Sequence, residues 1–271
     1  MDKVSFWISF GPLIVINSYF IITLIWFAAN YKTMPKADFV EKRHHSKILN
    51  KWIRHWWIWV TTPLFRFFLK LKCTPNQISA LGTVLAVFSG LSFAFAPKWV
   101  GVGSYGLGGW FMALGGSLDF MDGRLARETG QESLSGAFFD SVMDRIAECV
   151  VFSGLAWYFR DSWILWIVMA AFTGAMMTSY SKCRGDKMGV SYEGGMMQRP
   201  ERIVYTGVGA IFAPIIGMGL MSLLPDYFTD IKMATDLAYM LPLAFVALLS
   251  NYTTYDRIRS IMRLLNAKEG R

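Results

Sequence analysis

Asp119-Phe120-Met121-Asp122-Gly123-Arg124-Leu125-Ala126-Arg127, followed after eight residues by Gly136 and then by Asp140 and Asp144, is the stretch on which the reading of this chain turns. It lies where one apolar segment ends and the next begins. Asp119 and Asp122 are three apart, Asp140 and Asp144 four apart, so on a helix each pair shares a face. Two such pairs on adjacent helices converge on one point. At an effective dielectric of ~20, two bare carboxylates ~4 Å apart repel by about 4 kcal/mol. The cluster therefore calls for cations, and a donor set of oxygens alone suits Mg²⁺ or Mn²⁺. Gly123 and Gly136 let a ligand approach the backbone, and Arg127 offers a forked donor for phosphate.

Around this stretch the chain is that of a membrane protein. Of 271 residues 54% are hydrophobic and only 17% charged, with mean hydropathy +0.36. Soluble domains carry more charge. Apolar runs over about 5–28, 77–96, 101–120, 134–158, 162–180, 203–224 and 237–255 are long enough to cross a bilayer as helices. The expected fold is an all-α polytopic membrane protein. The first run is not a cleavable signal, since its basic flank is only Lys3 and it is too long.

Charge gives the orientation. Ten Lys and Arg lie in 29–75, three in 121–145, five in 181–202 and five after 255, which places 23 of the 27 on one side. Lys3, Lys98, Arg160 and Lys232 fall on the other. By the positive-inside rule the rich side is cytoplasmic, with the N-terminus outside, the C-terminus inside and the acidic cluster opening to the cytoplasm. The net charge of +8 is thereby a topology signal that also suits anionic lipid headgroups, and nothing calls for nucleic acid.

Residues 29–46 read as a polar connector containing Pro35. In 47–72, Trp52, Trp56, Trp57, Trp59, Phe65, Phe67 and Phe68 interleave with Lys51, Arg54, Arg66 and Lys70. That pattern predicts an amphipathic helix in the membrane interface, broken or kinked at Pro63. Thr74-Pro75-Asn76-Gln77 predicts a helix start, with Thr74 and Gln77 as a capping box and Pro75 in the first turn. Gly101, Gly103 and Gly106 match a dinucleotide-binding pattern, but no strand precedes them. They and the following glycines read as sites of close helix packing. Cys73, Cys149 and Cys183 show neither metal spacing nor a disulfide framework. His44, His45 and His55 read as solvated or interfacial.

A second constellation flanks the 181–202 loop: Lys182 and Arg184 end one span, and Arg199 and Arg202 begin the next. Together they can ring an anion. Ordinary cytoplasmic-side charge accounts for them equally well from the residues alone.

The pattern D-x2-D-G-x2-A-R-x8-G-x3-D-x3-D, met here at every fixed position from Asp119 to Asp144, resembles the signature of the CDP-alcohol phosphotransferases, also called CDP-alcohol phosphatidyltransferases. The resemblance covers roughly residues 47–260. It implies a six-helix transmembrane core in 47–271, preceded by the interfacial helix 47–72 and followed by a cytoplasmic tail. Residues 1–46 are then an extra N-terminal anchor and basic connector. It also implies CDP-diacylglycerol as donor, two divalent ions (Mg²⁺ or Mn²⁺), release of CMP, and a homodimer among membrane lipids. Carried over residue by residue, Asp119, Asp122, Asp140 and Asp144 hold metal, with Asp144 sharing the second ion or acting as general base. Asn76, Gly123, Ala126, Arg127 and Gly136 border the CDP donor.

The stretches Ser179-Tyr180-Ser181-Lys182-Cys183-Arg184 and Arg199-Pro200-Glu201-Arg202 resemble the phosphatidylinositol-phosphate synthase branch. This implies inositol phosphate as acceptor, bound by Lys182, Arg184, Arg199 and Arg202. The chain departs from that branch in having Cys183-Arg184-Gly185-Asp186 where Ala-Arg-Ala-Glu is usual. Glycerol 3-phosphate, which the same cations would bind, is the alternative acceptor, and an uncharged or zwitterionic alcohol such as serine ranks third. An ion-coupled transporter predicts acids spread over several spans and paired half-repeats. The four acids within 26 residues at one membrane face speak against that, and a non-catalytic scaffold has no use for them.

Overall fold

In the computed structural model, residues 3–34, 51–99, 101–192 and 194–270 are described, and the fold is all-helical with no strand among them. The elements are α1 Lys3–Asn30, α2 Lys51–Lys70, α3 Pro75–Trp99, α4 Ser104–Thr129, α5 Leu134–Tyr158, α6 Ile164–Lys187, α7 Arg199–Leu223 and α8 Ile231–Lys268. His44, His45, Pro35 and most of the expected connector lie outside the described residues.

Among the described residues five helices, α1, α3, α6, α7 and α8, are long and apolar enough to cross a membrane. The spans expected at 101–120 and 134–158 fall on α4 and α5, whose 26 and 25 residues suffice in length. Their apolar runs are interrupted by the motif charges themselves, from Asp119 to Arg127 on α4 and from Asp140 to Glu148 on α5. The segment after 255, expected as a tail, is instead the continuation of the 38-residue α8. Pro63 neither ends nor divides α2, which runs through it.

Helices in lipid gain little from apolar contact with one another and associate through close approach of small residues. Here the backbones meet at glycine. A Cβ on Gly154 would lie 2.1 Å from the Gly90 carbonyl oxygen, seating α5 on α3. One on Gly109 would lie 2.4 Å from the Gly207 carbonyl, seating α4 on α7. Buried Phe93, Tyr105, Phe152, Leu155, Val168, Ala210, Tyr239 and Leu243 fill the main core between α3 and α8. At the end of the bundle remote from the motif, Tyr105 and Tyr158 donate to Asp236 Oδ1 at 2.6 and 3.0 Å, and Lys232 pairs with its Oδ2 at 2.8 Å. This network ties α4, α5 and α8.

The α2 helix is half-buried and sits on α4. Phe65 and Phe68 pack against Ile78, Leu118, Met121 and Leu125, and the Arg124 guanidinium lies 4.0 Å from the Phe65 ring centre. His55 is buried, close to the Tyr31 ring, rather than solvated.

Candidate metal and phosphate site

Three helix ends meet at the motif. The α3 start is fixed by the expected capping box: Thr74 N–H donates to Gln77 Oε1 at 2.9 Å, and Gln77 N–H to Thr74 Oγ1 at 3.4 Å. The α4 helix ends at Gly130 in the left-handed conformation, φ +67°, which glycine adopts without strain. The α5 helix starts at Ser133, whose hydroxyl accepts from the Gly136 N–H at 3.0 Å. A tight α4–α5 turn thus aligns the last turns of one motif helix with the first turns of the other.

That alignment brings Asp119, Asp140 and Asp144 together, with one carboxylate oxygen of each within 4.8 Å of the others. In an octahedral Mg²⁺ site neighbouring ligand oxygens lie ~3.0 Å apart and opposite ones ~4.2 Å, so the three carboxylates would draw together around an ion. Asp140 Oδ1 is buried without a hydrogen-bond partner, as a ligand oxygen awaiting a cation would be. The residues present therefore fit a hard divalent ion. Asp122 is buried one turn away, where its Oδ2 accepts from Ser79 Oγ of α3 at 2.5 Å.

A guanidinium already reaches the cluster. Arg199, at the start of α7, places Nη1 2.5 Å from Asp119 Oδ2 and Nη2 2.6 Å from Asp144 Oδ1. Below it, one turn beyond Asp144 on α5, Glu148 is buried. Its Oε1 accepts from Arg202 Nε at 3.0 Å and Nη2 at 2.6 Å, while its Oε2 accepts from Arg145 Nη1 at 2.6 Å. Arg202 is only 2% exposed. The four motif aspartates and Glu148 face Arg145, Arg199 and Arg202, an excess of two negative charges, which one divalent ion neutralises.

These groups open onto a solvent-connected cleft between α3, α4, α5 and α7. Asp119, Asp140, Asp144, Glu148, Arg199 and Arg202 line its polar end, and Ala86, Met112, Val151 and Phe152 its apolar end. The residues carried over for the donor form a ledge outside it. Asn76 Oδ1 would lie 3.6 Å from a Cβ on Gly136, and Arg127 Nη1 folds back to 3.5 Å from a Cβ position on Gly123. Arg127 is exposed, and Ala126, one residue before it, is half-buried.

Of the four residues expected to bind an acceptor, Arg199 and Arg202 line the cleft but are held by carboxylates. Lys182, half-buried, and Arg184, exposed, end α6 and are not among the cleft lining. The 188–198 loop is stitched to α8 instead: Thr253 Oγ1 accepts from the Met196 and Met197 N–H groups at 3.2 and 3.0 Å, Arg257 Nε donates to the Gly194 carbonyl at 3.1 Å, and the Tyr192 hydroxyl to Asp256 at 2.8 Å. Glu148 was missed from the sequence, although Asp140, Asp144 and Glu148 form one stripe at intervals of four. The Ser79–Asp122 contact, 43 residues apart in the chain, leaves no such signal.

Comparison with known proteins agrees with this geometry. The family profile described as CDP-alcohol phosphatidyltransferase matches residues 72–241. The phosphatidylinositol phosphate synthase of Mycobacterium tuberculosis is 33% identical over 164 residues, covering 58% of this chain and 72% of that protein. The crystal structure of that organism's phosphatidylinositol phosphate synthase with CDP-DAG bound superposes with a TM-score of 0.57 at 26% identity, over 74% of this chain and 93% of the other. The same synthase in complex with manganese and citrate gives 0.58 at 25% identity, over 74% and 88%.

Proposed function

The chain belongs to the CDP-alcohol phosphatidyltransferase family, and we propose that it makes phosphatidylinositol phosphate by moving a phosphatidyl group from CDP-diacylglycerol to inositol phosphate. The observation that carries this is the carboxylate cluster of Asp119, Asp140 and Asp144 at the mouth of a cleft with arginines beside it. In the reaction an acceptor oxygen forms a bond to the phosphorus bearing the lipid, the bond from that phosphorus to the bridging oxygen breaks, and CMP leaves. Divalent ions, Mg²⁺ or Mn²⁺, supply neutralisation of the diphosphate and of the charge that develops on the leaving group.

Asp119, Asp122, Asp140 and Asp144 would hold the ions. For Asp122 this requires its carboxylate to share Ser79 or turn from it. To Asp144, which lines the cleft, the proposal assigns the proton of the attacking hydroxyl. Asn76, Gly123, Ala126, Arg127 and Gly136 form the ledge for the cytidine diphosphate. Released from Asp119 and Asp144, the Arg199 guanidinium would face the cleft beside Arg202, giving a phosphorylated acceptor two forked donors. Lys182 and Arg184 are proposed as its approach path.

The remaining elements of the proposal follow the charge pattern and the family. Residues 47–271 form the transferase domain and 1–46 an additional anchor. The active site faces the cytoplasm, the N-terminus lies outside, the C-terminus inside, and the protein works as a homodimer, for which a dimeric mass in nanodiscs is the check. The deciding experiment is CMP release by purified protein from CDP-diacylglycerol, with inositol phosphate, glycerol 3-phosphate, inositol and serine as acceptors. Preference for free inositol or serine would remove the phosphorylated acceptor. Glycerol 3-phosphate as the best substrate would replace inositol phosphate.

A further inference from the structure

The helix that delivers Arg199 and Arg202 to the cleft begins at Arg199, and nothing in that first turn caps it through a side chain. Its position depends on how the turn is gripped. On one side Arg202 is held by Glu148 of α5. On the other stands Glu201, 1% exposed, whose Oε2 is buried without a hydrogen-bond partner and whose Oε1 lies 3.5 Å from Arg54 Nη2 of α2. A buried carboxylate is strongly destabilising when it loses its counter-charge. Glu201 therefore follows Arg54, and the first turn of α7 follows Glu201.

Arg54 is in turn held by packing that begins in α1, outside the region matched by the family. Trp57, three residues on from Arg54, donates its Nε1–H to Ser117 Oγ at 2.8 Å, two residues before Asp119. Phe20 of α1 stacks on both Trp110 of α4 and Trp57, with centroids 4.3 and 5.6 Å away. Asn17 accepts from Trp110 Nε1 at 3.1 Å, and Leu13 fills the space above Gly106, where a Cβ would come within 2.4 Å of it. Phe27 is buried against Trp52 and Trp59 of α2.

We propose that α1 and α2 form a clamp on the transferase core and that Arg54 is a positioning residue: through Glu201 it sets the first turn of α7, and so the placement of Arg199 and Arg202 for the acceptor. The inference rests on the transferase reading above and gives the extra N-terminal helix a task beyond anchoring. It separates the two substrates, because the donor ledge on α3, α4 and α5 has no residue on α7.

The test uses the full chain in nanodiscs with initial rates of CMP release, varying acceptor at saturating donor and the reverse. Arg54→Ala is expected to raise the acceptor KM about ten-fold, as when a displaced Arg199 or Arg202 fails to make one charge-assisted contact, with the donor KM within about two-fold. Arg54→Lys should recover most of the loss. Adding Glu201→Gln to Arg54→Ala should cost little more than either alone, since the two changes remove one interaction. Phe20→Ala should shift the acceptor KM in the same direction. Unchanged kinetics in Arg54→Ala, equal increases in both KM values, or additive effects of the two substitutions would overturn the clamp. If the wild-type protein released no CMP with any acceptor, the transferase reading itself would fall, and the clamp's acceptor role with it.

Discussion

Replacing Arg199 by alanine tests how the acidic cluster is neutralised. The guanidinium holds Asp119 at 2.5 Å and Asp144 at 2.6 Å, with its side chain 16% exposed. Hydrogen bonds to charged groups are worth about 1.5–3 kcal/mol each, so two of them hold the cluster by roughly 3–6 kcal/mol. Without the guanidinium, carboxylate oxygens within 4.8 Å of one another repel by about 3.5 kcal/mol per pair or more at an effective dielectric of ~20. Guanidinium and divalent ion use the same oxygens, so each opposes the other. In Arg199→Ala, Mn²⁺ affinity, measured by calorimetry or by the resonance signal of free Mn²⁺, should tighten by about ten- to hundred-fold, or roughly 1.4–2.8 kcal/mol. That is less than the full repulsion because side chains relax and water enters. The unfolding temperature without divalent ions should fall, and its rise on adding Mn²⁺ should exceed that of wild type. Turnover should fall in the same variant, since the acceptor phosphate loses a partner. Tighter metal with slower chemistry is a pair of opposite changes that misfolding does not produce. Unchanged or weaker Mn²⁺ binding would refute the competition.

Other outcomes are more direct. EDTA should abolish CMP release and Mg²⁺ or Mn²⁺ restore it, while Asp119→Asn and Asp140→Asn should each be inactive but folded in detergent; full activity after thorough chelation would remove the metal reading. Arg127→Ala should raise the KM for CDP-diacylglycerol by about ten- to hundred-fold, one charge-assisted phosphate contact, and leave the acceptor KM nearly unchanged. In a cysteine-free background, a cysteine in the 185–195 loop should be labelled only from the cytoplasmic side and one at 226–232 only from outside; the reverse pattern would invert the proposed topology.

What the sequence disclosed was local or periodic. The Thr74–Gln77 capping box and the shared face of Asp140 and Asp144 follow from spacings of three and four along a helix, the convergence of Asp119 with them from two helices consecutive in the chain, and the close packing of α4 from its run of glycines. Pairings across long stretches of chain were not legible. Nothing near Arg199 announces that it lies between two aspartates, since the same residue serves equally as cytoplasmic-side charge. Arg202 reads as a free cation until its burial against Glu148 is seen. The aromatic residues of α1 look like any lipid-facing run, because stacking of Phe20 between Trp57 and Trp110 depends on tertiary placement that hydropathy does not carry.

The length of α8 has a practical consequence. Its 38 residues rise about 57 Å, nearly twice the ~30 Å of bilayer hydrocarbon. A rod of that length carries its last turns well clear of lipid, and the chain between α6 and α7 is tied to it at Thr253, Asp256 and Arg257. The last turns of α8, up to Lys268, therefore form a lever. A helical fusion continued in frame from Lys268, with Gly270 removed because its φ of +74° ends the helix, would point an attached marker at a fixed angle to the active site. Such a marker gives a membrane protein of 271 residues an external landmark for particle alignment.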